Sequence, residues 1–397
     1  MAEWVECTIG DLCDTISDTY KGNDENVILV NTSDVLEGKV LNHTQVPNKN
    51  LKGQFKKTFR KNDILFSEIR PANKRFAFID FEDTSNYIAS TKLMVLRHNE
   101  KVIPEYLYAI LKSNYILAEL QHLAETRSGT FPQITFTSEL APMKVNLPDK
   151  KTQKQIVSIL SSIEQKMDSN ETINNNLEQQ AMALYKSWFV DFELNSGVMP
   201  SDWKVSQLGS IAKISTEVFS PAKNPNVEVE HYSIPAYDEK HYPIFETSNG
   251  IKSNKYRLTS NSVMISKLNP DTKRIWRPYC ISDNPICSTE FIVYEPIKPL
   301  NRDFIYSIID SIGFSAFLCS HTTGSTNSRQ RATPGITLTY DIVVPDEKTI
   351  QAFCSIVSPM YDTIENNIKE NQKLAETRDK LLPKLMSGEL DVSDIEL

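Results

Sequence analysis

Residues 62–75 read NDILFSEIRPANKR, and residues 261–274 repeat this segment as NSVMISKLNPDTKR. The two segments share an apolar run, a serine, a proline and a closing Lys-Arg pair at an offset of 199 residues. An apolar run followed by a proline turn predicts a strand that ends in a tight turn. A match at such a long and constant offset indicates an internal duplication.

Matches on both sides of this segment extend the duplication over the chain. The other matching pairs are Trp4–Gly10 with Trp203–Gly209, Glu105–Ile110 with Asp303–Ile308, and Leu147–Thr152 with Val344–Thr349. Their offsets are 199, 198 and 197 residues, so the drift over the whole chain is two residues. The chain is therefore two copies of one unit.

Each copy divides into a mixed part and a helical part. Short β-branched and aromatic runs near 26–30, 62–67, 74–80 and 91–97 predict strands, and one amphipathic helix is predicted near 104–124. The second copy has similar runs near 261–266 and 290–294 and a helix near 301–318. We therefore predict the α+β class, with mixed domains at 1–146 and 200–343 and helical regions at 147–199 and 344–397.

A heptad series of a and d positions runs from Ile156 to Trp188 and recurs from Phe353 to Leu385. It predicts a coiled-coil helix of about 33 residues, or about 50 Å, in each copy. Two such apolar seams in one chain satisfy each other if the helices are antiparallel. We therefore expect the two helices to form an antiparallel coiled-coil spacer. Pro359 and Pro383 predict that the second helix is kinked at an interior proline or broken near its ends.

Both seams contain two asparagines at equivalent steps. They are Asn170 and Asn174 in the first helix, and Asn367 and Asn371 in the second. In the antiparallel arrangement Asn170 faces Asn371, and Asn174 faces Asn367. Paired polar residues at seam positions lower stability but fix the register, as a spacer of defined length requires.

Several classes of function are not supported by the sequence. There is no glycine-rich loop for a dinucleotide, a nucleoside triphosphate or S-adenosylmethionine, and no His or Cys set at metal-ligand spacing. No apolar run reaches the roughly 18 residues of a membrane span, and no secretory signal is recognised. We therefore expect a cytoplasmic protein that does no chemistry of its own, with no metal, no cofactor and no membrane partner.

Two basic stretches interrupt a chain whose net charge is −8. Lys49–Arg75 carries nine basic and two acidic residues, and Lys252–Arg277 carries seven basic and one acidic residue. One such stretch alone is usually a solvated face. Two at equivalent positions of a duplicated chain favour double-stranded DNA, because a duplex presents grooves at a fixed helical repeat.

Two loops in each copy carry the predicted DNA contacts. The candidates in and beside the basic turn are Ser67, Arg70, Lys74, Arg75, Ser266, Lys267, Lys273, Arg274 and Arg277; those in the later loop are Arg127, Ser128, Thr130, Gln133, Asn327, Arg329, Gln330 and Arg331. Hydroxyl and guanidinium groups suit phosphate positioning, and Arg and Gln can make bidentate contacts with base edges. The alternatives are an exposed hairpin whose charges only keep it soluble, and plain sequence drift of the later loop.

These features resemble the specificity subunit of type I restriction-modification systems. The resemblance covers nearly the whole chain: the opening Trp4–Gly10, the turn Asn62–Arg75, the Leu-Pro stretch at 147–153 and the close Leu381–Leu390, which reads LLPKLMSGEL after a heptad helix. In that family two target-recognition domains alternate with two helical regions that form an antiparallel spacer.

The resemblance implies a division of labour among subunits. Each target-recognition domain reads one half of an asymmetric split DNA sequence, and the helical pair sets the gap between the halves. Two modification subunits, which bind S-adenosylmethionine and methylate adenine, dock on the helical regions. Restriction subunits supply the motor, the nuclease and the need for ATP and magnesium. The family has no fixed base-contacting residues, so the residues above remain predictions from the sequence.

Two other interpretations keep parts of this picture. A two-domain coiled-coil adaptor that organises other proteins predicts weak DNA binding with a steep salt dependence and no preferred site. A self-sufficient nuclease or methyltransferase requires a carboxylate-metal set or a cofactor loop, which the sequence does not contain.

Overall fold

The computed structural model describes residues 4–49, 53–127, 131–298, 302–323 and 330–392. It divides into two compact units. The first unit is Met1–Gln165 with Ala375–Leu397, and the second is Lys166–Leu374. Each unit is mixed helix and strand, which confirms the predicted class.

The first unit contains twelve strands among its described residues. They are β1 (Trp4–Thr8), β2 (Cys13–Ile16), β3 (Asn26–Val30), β4 (Val35–Leu36), β5 (Lys39–Val40), β6 (Gln45–Pro47), β7 (Phe55–Lys57), β8 (Ile64–Ser67), β9 (Phe76–Phe78), β10 (Tyr87–Ser90), β11 (Leu93–His98) and β12 (Lys144–Pro148). Its helices are α1 (Pro104–Leu111) and α2 (Asn114–Arg127), and α3 (Lys150–Phe189) begins here and ends in the second unit.

The second unit has thirteen strands within the part of the chain described. They are β13 (Lys204–Gln207), β14 (Ala212–Ser215), β15 (Val218–Phe219), β16 (Glu228–Tyr232), β17 (Ile244–Thr247), β18 (Lys255–Arg257), β19 (Val263–Ser266), β20 (Ile275–Trp276), β21 (Pro285–Ser288), β22 (Phe291–Pro296), β23 (Thr322–Thr323), β24 (Arg331–Ala332) and β25 (Asp341–Val344). Its helices are α4 (Ile234–Lys240), α5 (Arg302–Asp310), α6 (Ile312–Ser320), α7 (Pro334–Thr337) and α8 (Glu347–Ser387), whose end belongs to the first unit.

The strand order corresponds in the two units, as expected of a duplication, except that the second sheet of the second unit has one additional strand, β15, at its edge. One antiparallel sheet has the order β2-β11-β8-β9 in the first unit and β14-β22-β19-β20 in the second. A second, mixed sheet has the order β6-β3-β10-β7 or β15-β18-β21-β16-β17, and its one parallel pair is β3 with β10 or β16 with β21. The candidate turns join β8 to β9 and β19 to β20, so they project from equivalent sheets.

The single helix predicted near 104–124, and its equivalent near 301–318, are each two helices in the structure, which corrects the sequence expectation. Ser113 separates α1 from α2, and Ser311 separates α5 from α6. The Ser311 side chain accepts a hydrogen bond from Phe314 N at 3.2 Å. A serine that caps the next helix competes with continuation of the preceding one, which the apolar period alone does not reveal.

The long helices are longer than predicted. α3 has 40 residues and α8 has 41, or about 60 Å each at 1.5 Å per residue. Each begins after an aspartate whose carboxylate accepts a backbone N–H of the first turn, Asp149 from Thr152 at 3.0 Å and Asp346 from Thr349 at 3.1 Å. The predicted breaks at Pro359 and Pro383 are wrong, because α8 is continuous and both proline rings lie on its exposed face.

The helix ends belong to the cores. In the first unit Ile156 and Leu160 of α3 are buried in one cluster with Leu382 and Leu385 of α8 and the sheet residue Phe66. In the second unit the core contains Ala181 and Phe189 of α3, Phe353 and Val357 of α8, and Phe304 of α5. The heptad seam therefore continues into each α+β domain, so a domain and its helix ends fold as one cluster.

The predicted asparagine pairs are in contact within the second unit. Asn170 donates from Nδ2 to Asn371 Oδ1 at 2.8 Å, and Asn367 donates from Nδ2 to Asn174 Oδ1 at 2.8 Å. As one partner's number rises the other's falls, so the two helices are antiparallel here. That these amides set the register stays a prediction.

Candidate nucleic-acid interface

The two basic turns have the same hydrogen-bonded construction. The Ser67 hydroxyl accepts a hydrogen bond from Ile69 N at 3.0 Å and donates to Ile69 O at 3.2 Å. Ser266 makes the same two bonds to Leu268, at 3.2 and 3.0 Å. Both serines are buried, with 2% and 1% of their surface exposed. Their hydroxyls therefore close the turns, and in this conformation they do not form the surface to which the sequence assigned them.

The later loop of each unit is hydrogen-bonded to the turn. Arg70 N donates to Pro132 O at 3.2 Å, and Ile69 forms an isolated β-bridge with Gln133. In the second unit Asn269 N donates to Gln330 O at 2.9 Å, and Leu268 bridges Arg331. The two loops that the sequence identified separately thus form one surface in each unit.

In the first unit only some of the predicted cations are free of protein partners. The exposed Arg70 side chain has no partner among the described residues, and its backbone is left-handed with a φ of 45°. Lys74 pairs with Glu37 at 2.8 Å, Arg127 pairs with Glu139 at 3.1 Å, and Arg75 donates to Ser33 O at 3.0 Å. Arg70 is therefore the cation of this turn that can bind an anion without first breaking an internal ion pair or hydrogen bond.

The second unit shows the same division. Arg274 is held by both carboxylate oxygens of Asp238, at 2.6 and 2.9 Å, and Lys273 donates to Asp310 O at 2.6 Å. The hydrogen bonds to Asp238 raise the pKa of Arg274. Lys267 is half-buried, and no partner for its ammonium exists in the described part of the chain. Lys267 is thus the unpaired cation of the second turn.

Arg277 lies in an ion cluster instead of on an open surface. Its guanidinium contacts Asp303 at 2.7 Å, Asp362 at 2.7 Å and Glu365 at 3.0 Å, and 12% of its side chain is exposed. Burial lowers the pKa of Arg277, but the hydrogen bonds to Asp303 and the nearby carboxylates raise it by more, so the net shift is upward. This arginine connects the segment that follows β20 to α5 and α8 within the second unit.

The remaining sequence candidates divide into described and undescribed positions. Gln133 Oε1 accepts a hydrogen bond from Lys92 Nζ at 3.2 Å, and Arg331 pairs with Glu290 at 3.0 Å. The hydrogen bond to Glu290 raises the pKa of Arg331. Ser128, Thr130, Asn327 and Arg329 lie outside the described residues.

Two residues of this surface were missed from the sequence. Lys92 O accepts a hydrogen bond from Glu68 N at 3.0 Å, and its ammonium lies 3.2 Å from the Glu68 carboxylate. Glu290 holds the equivalent place, because its carbonyl accepts from Lys267 N at 2.9 Å. The Ser-Thr match at 90–91 and 288–289 precedes both residues, so the opposite charges at 92 and 290 were the available signal.

The surroundings of the surface add three observations. A depression of about 450 Å³ lies between the first turn and α2, and Ala72, Lys74, Leu117 and Gln121 are among the residues that line it.

No group of three or more His, Cys, Asp or Glu side chains in the described ranges could hold a metal ion. No single described helix is long and apolar enough to cross a membrane; α5 and α6 reach that length and composition only together, across a 64° bend.

Comparison with known proteins places these features in context. Residues 1–179 match the family described as type I restriction modification DNA specificity domain. The chain is 30% identical to the type I restriction enzyme HindI specificity subunit of Haemophilus influenzae, over 98% of this chain and 100% of that protein. It is 25% identical to the MjaIX specificity subunit of Methanocaldococcus jannaschii, over 74% of this chain and 71% of that protein.

A solved structure supports the fold. The type I restriction-modification S subunit from M. genitalium matches with a TM-score of 0.55 and 15% identity, over 97% of this chain and 96% of that one. The likeness extends over both units, so the duplicated α+β arrangement with long helices is a known fold.

Proposed function

Because this chain belongs to the family of type I restriction-modification DNA specificity subunits, we propose that it reads a split, asymmetric sequence in double-stranded DNA. The target-recognition domains at 1–146 and 200–343 each take one half of the sequence. The helical regions at 147–199 and 344–397 set the gap between the halves. One observation carries this proposal: each unit has a turn and a loop joined into one surface, on the same backbone but with different side chains.

The side chains of the surface divide into two roles. Arg70 and Lys267 have no protein partner in the described residues, so they can contact DNA without breaking an internal ion pair. Lys74, Arg274 and Arg331 must exchange a carboxylate for a phosphate or a base edge, which reduces the net gain of the contact. Phosphate contacts position the domain, and the base-edge contacts specify the sequence.

The chemistry of the proposed complex belongs to other subunits. Two modification subunits, which bind S-adenosylmethionine, methylate adenine in the two half-sites, and restriction subunits use ATP and magnesium to cleave unmethylated DNA. This chain is non-catalytic and works in the cytoplasm, where it meets DNA.

The test is to express the chain with the modification subunit encoded beside it, in a host without other adenine methylation, and to map methylated adenines across the genome. A methylated split motif with a constant gap is the expected result. A complex that assembles but leaves no motif would contradict the proposal and favour the adaptor interpretation. In that case the salt dependence of binding should be steep and the same on all sequences.

A further inference from the structure

The surface formed by the turn and the later loop has the same set of joining backbone hydrogen bonds in the two units. In both, the strand serine accepts from the residue two positions later, and its N–H donates to the arginine that closes the turn, at 2.9 Å. In both, the residue after the serine, Glu68 or Lys267, donates its N–H to the carbonyl of Lys92 or Glu290, at 3.0 and 2.9 Å. Its own carbonyl accepts an N–H of the later loop, at 2.8 Å in the first unit and 2.9 Å in the second. Side chains at equivalent positions are therefore presented on the same scaffold.

Four positions on this scaffold carry different chemistry, and we call them the quartet. In the first unit the quartet is Glu68, Arg70, Lys92 and Gln133; in the second it is Lys267, Asn269, Glu290 and Arg331. Each quartet has two cations, one carboxylate and one amide, so its formal charge is +1 in both units. The groups are the same in kind, but each one occupies a different position.

Because the two quartets have equal charge but different arrangements, their attraction to phosphate should be equal while their preferred bases differ. Attraction to the DNA backbone depends on the number of cations, and that number is equal in the two quartets. Discrimination among base pairs depends on which donor or acceptor stands at which place along the groove. A change of place without a change of charge therefore alters the bases preferred and leaves the general affinity in place.

Of the four positions, 70 and its equivalent 269 are the ones with an unusual backbone conformation. Both residues have a left-handed backbone, with φ of 45° at Arg70 and 47° at Asn269. Asparagine tolerates this conformation, whereas arginine adopts it at a cost, and such strain concentrates at functional sites. The Asn269 Oδ1 atom is buried without a hydrogen-bond partner in the described part of the chain. The amide must turn outward before it can contact a base.

We propose that the quartet makes the two half-sites different, with Arg70 taking a guanine edge in the first half and Asn269 an adenine edge in the second. This inference rests on the proposed function. An arginine fork matches guanine O6 and N7, and an asparagine amide matches adenine N6 and N7. The ion pairs Glu68–Lys92 and Glu290–Arg331 join different positions of the quartet, so the flanking charges are held at different places in the two units.

The test transplants the second quartet into the first unit as Glu68→Lys, Arg70→Asn, Lys92→Glu and Gln133→Arg. The full chain, in complex with its modification subunit, selects from a library of randomised duplex DNA. We expect the first half of the selected motif to change, with a loss of guanine preference of about tenfold to a hundredfold at one position. The second half and the gap should not change.

A control exchanges another pair of groups, one just before β8 and one in β11. Asp63 and Arg97 form an ion pair at 2.7 Å, and their equivalents Ser262 and Glu295 are joined by a hydroxyl-to-carboxylate hydrogen bond. This pair lies at the opposite end of β8 from the turn. The variant Asp63→Ser/Arg97→Glu should therefore keep the wild-type motif.

The outcomes separate the inference from the function beneath it. A quartet variant that selects the wild-type motif overturns the inference alone, as does one in which both halves weaken equally. A wild-type complex that selects no split motif overturns the proposed function and this inference with it. If thermal unfolding shows that the fourfold variant does not fold, Arg70→Asn decides alone, because it leaves the Glu68–Lys92 pair intact: retained guanine preference refutes the inference.

Discussion

Replacing Arg277 with methionine removes the cation from a cluster of three carboxylates in the second unit. Asp303 and Glu365 are mostly buried, with 9% and 18% of their side chains exposed, whereas Asp362 is 59% exposed. Deleting one partner of a buried ion pair typically lowers stability by about 3–5 kcal/mol, because the remaining charge stays desolvated. Asp362 adds little, since water screens an exposed pair.

Neighbouring groups place the expected effect at the lower end of that range. Arg302 lies beside Asp303 in the chain, and its charge partly neutralises the carboxylate that Arg277 leaves behind. Lys369 still pairs with Glu365. We therefore expect Arg277→Met to lower the free energy of unfolding by about 3 kcal/mol, which corresponds to a urea midpoint lower by about 1 M.

The assay is urea unfolding followed by tryptophan fluorescence. Three of the four tryptophans, Trp188, Trp203 and Trp276, lie in the second unit, so the signal reports mainly on the unit that contains the cluster. Arg277→Met/Asp303→Asn should be more stable than Arg277→Met alone, because the double change removes both buried charges.

The control is Lys298→Met, which breaks a pair with Glu347 whose side chains are 60% and 55% exposed. It should change stability by less than about 0.5 kcal/mol. The reasoning is refuted if Arg277→Met changes stability no more than this control. It is also refuted if Arg277→Met leaves stability unchanged but reduces the salt dependence of DNA binding, because Arg277 would then be the DNA contact that the sequence suggested.

Three other predictions follow from the same contacts. Arg70→Ala should weaken binding to the preferred duplex by about 1–3 kcal/mol and relax the base preference at one position, measured by fluorescence anisotropy, because it removes a guanine contact. Arg274→Ala should weaken binding less, because Arg274 is held by Asp238. Asn170→Leu alone should lower the free energy of unfolding by about 1–3 kcal/mol because it leaves Asn371 Oδ1 without its donor, whereas Asn170→Leu/Asn371→Leu should restore or raise stability and loosen the register. Thermal unfolding and cysteine cross-linking across the helices measure both effects, and a double variant no better than either single one would disprove the pairing. Hydrogen bonds from Thr152 lower the pKa of Asp149, so the ionised carboxylate stabilises the fold above the pKa of the unfolded chain, and this stabilisation is lost as the pH falls through the lower pKa of the folded state. Asp149→Asn should therefore make the free energy of unfolding less dependent on pH below about 4, and an unchanged acid transition would contradict this assignment.

Much of the architecture could be predicted because its causes are periodic in the sequence. The duplication follows from the constant offset, the long helices follow from the heptads, and the asparagine contacts follow from applying one antiparallel register to both seams. The predictions failed where a local polar group overrides the apolar period. Ser113 and Ser311 each interrupt a helix that the apolar pattern carries through.

The sequence identified the two loops of the candidate site, and their contact with DNA stays a prediction. The structure joins the turn and the later loop through backbone hydrogen bonds. Ser67 and Ser266 follow an apolar strand and have the chemistry of phosphate ligands, yet their hydroxyls close their own turns. Composition identifies a group that can donate, but not the acceptor that it meets.

The sequence by itself determined the duplication, the α+β class, the antiparallel helix pair and the two basic turns, since each depends on residue types at regular spacing. Only the tertiary structure decided which cations stay free. Arg277 meets Asp362 across 85 residues of chain, and Lys92 contacts Glu68 from the turn between β10 and β11. Arg70 and Lys267 meet no partner in the described residues. The physical reason is that a hydrogen bond or ion pair requires about 3 Å of separation and good alignment. Those are set by strand order and packing between distant segments.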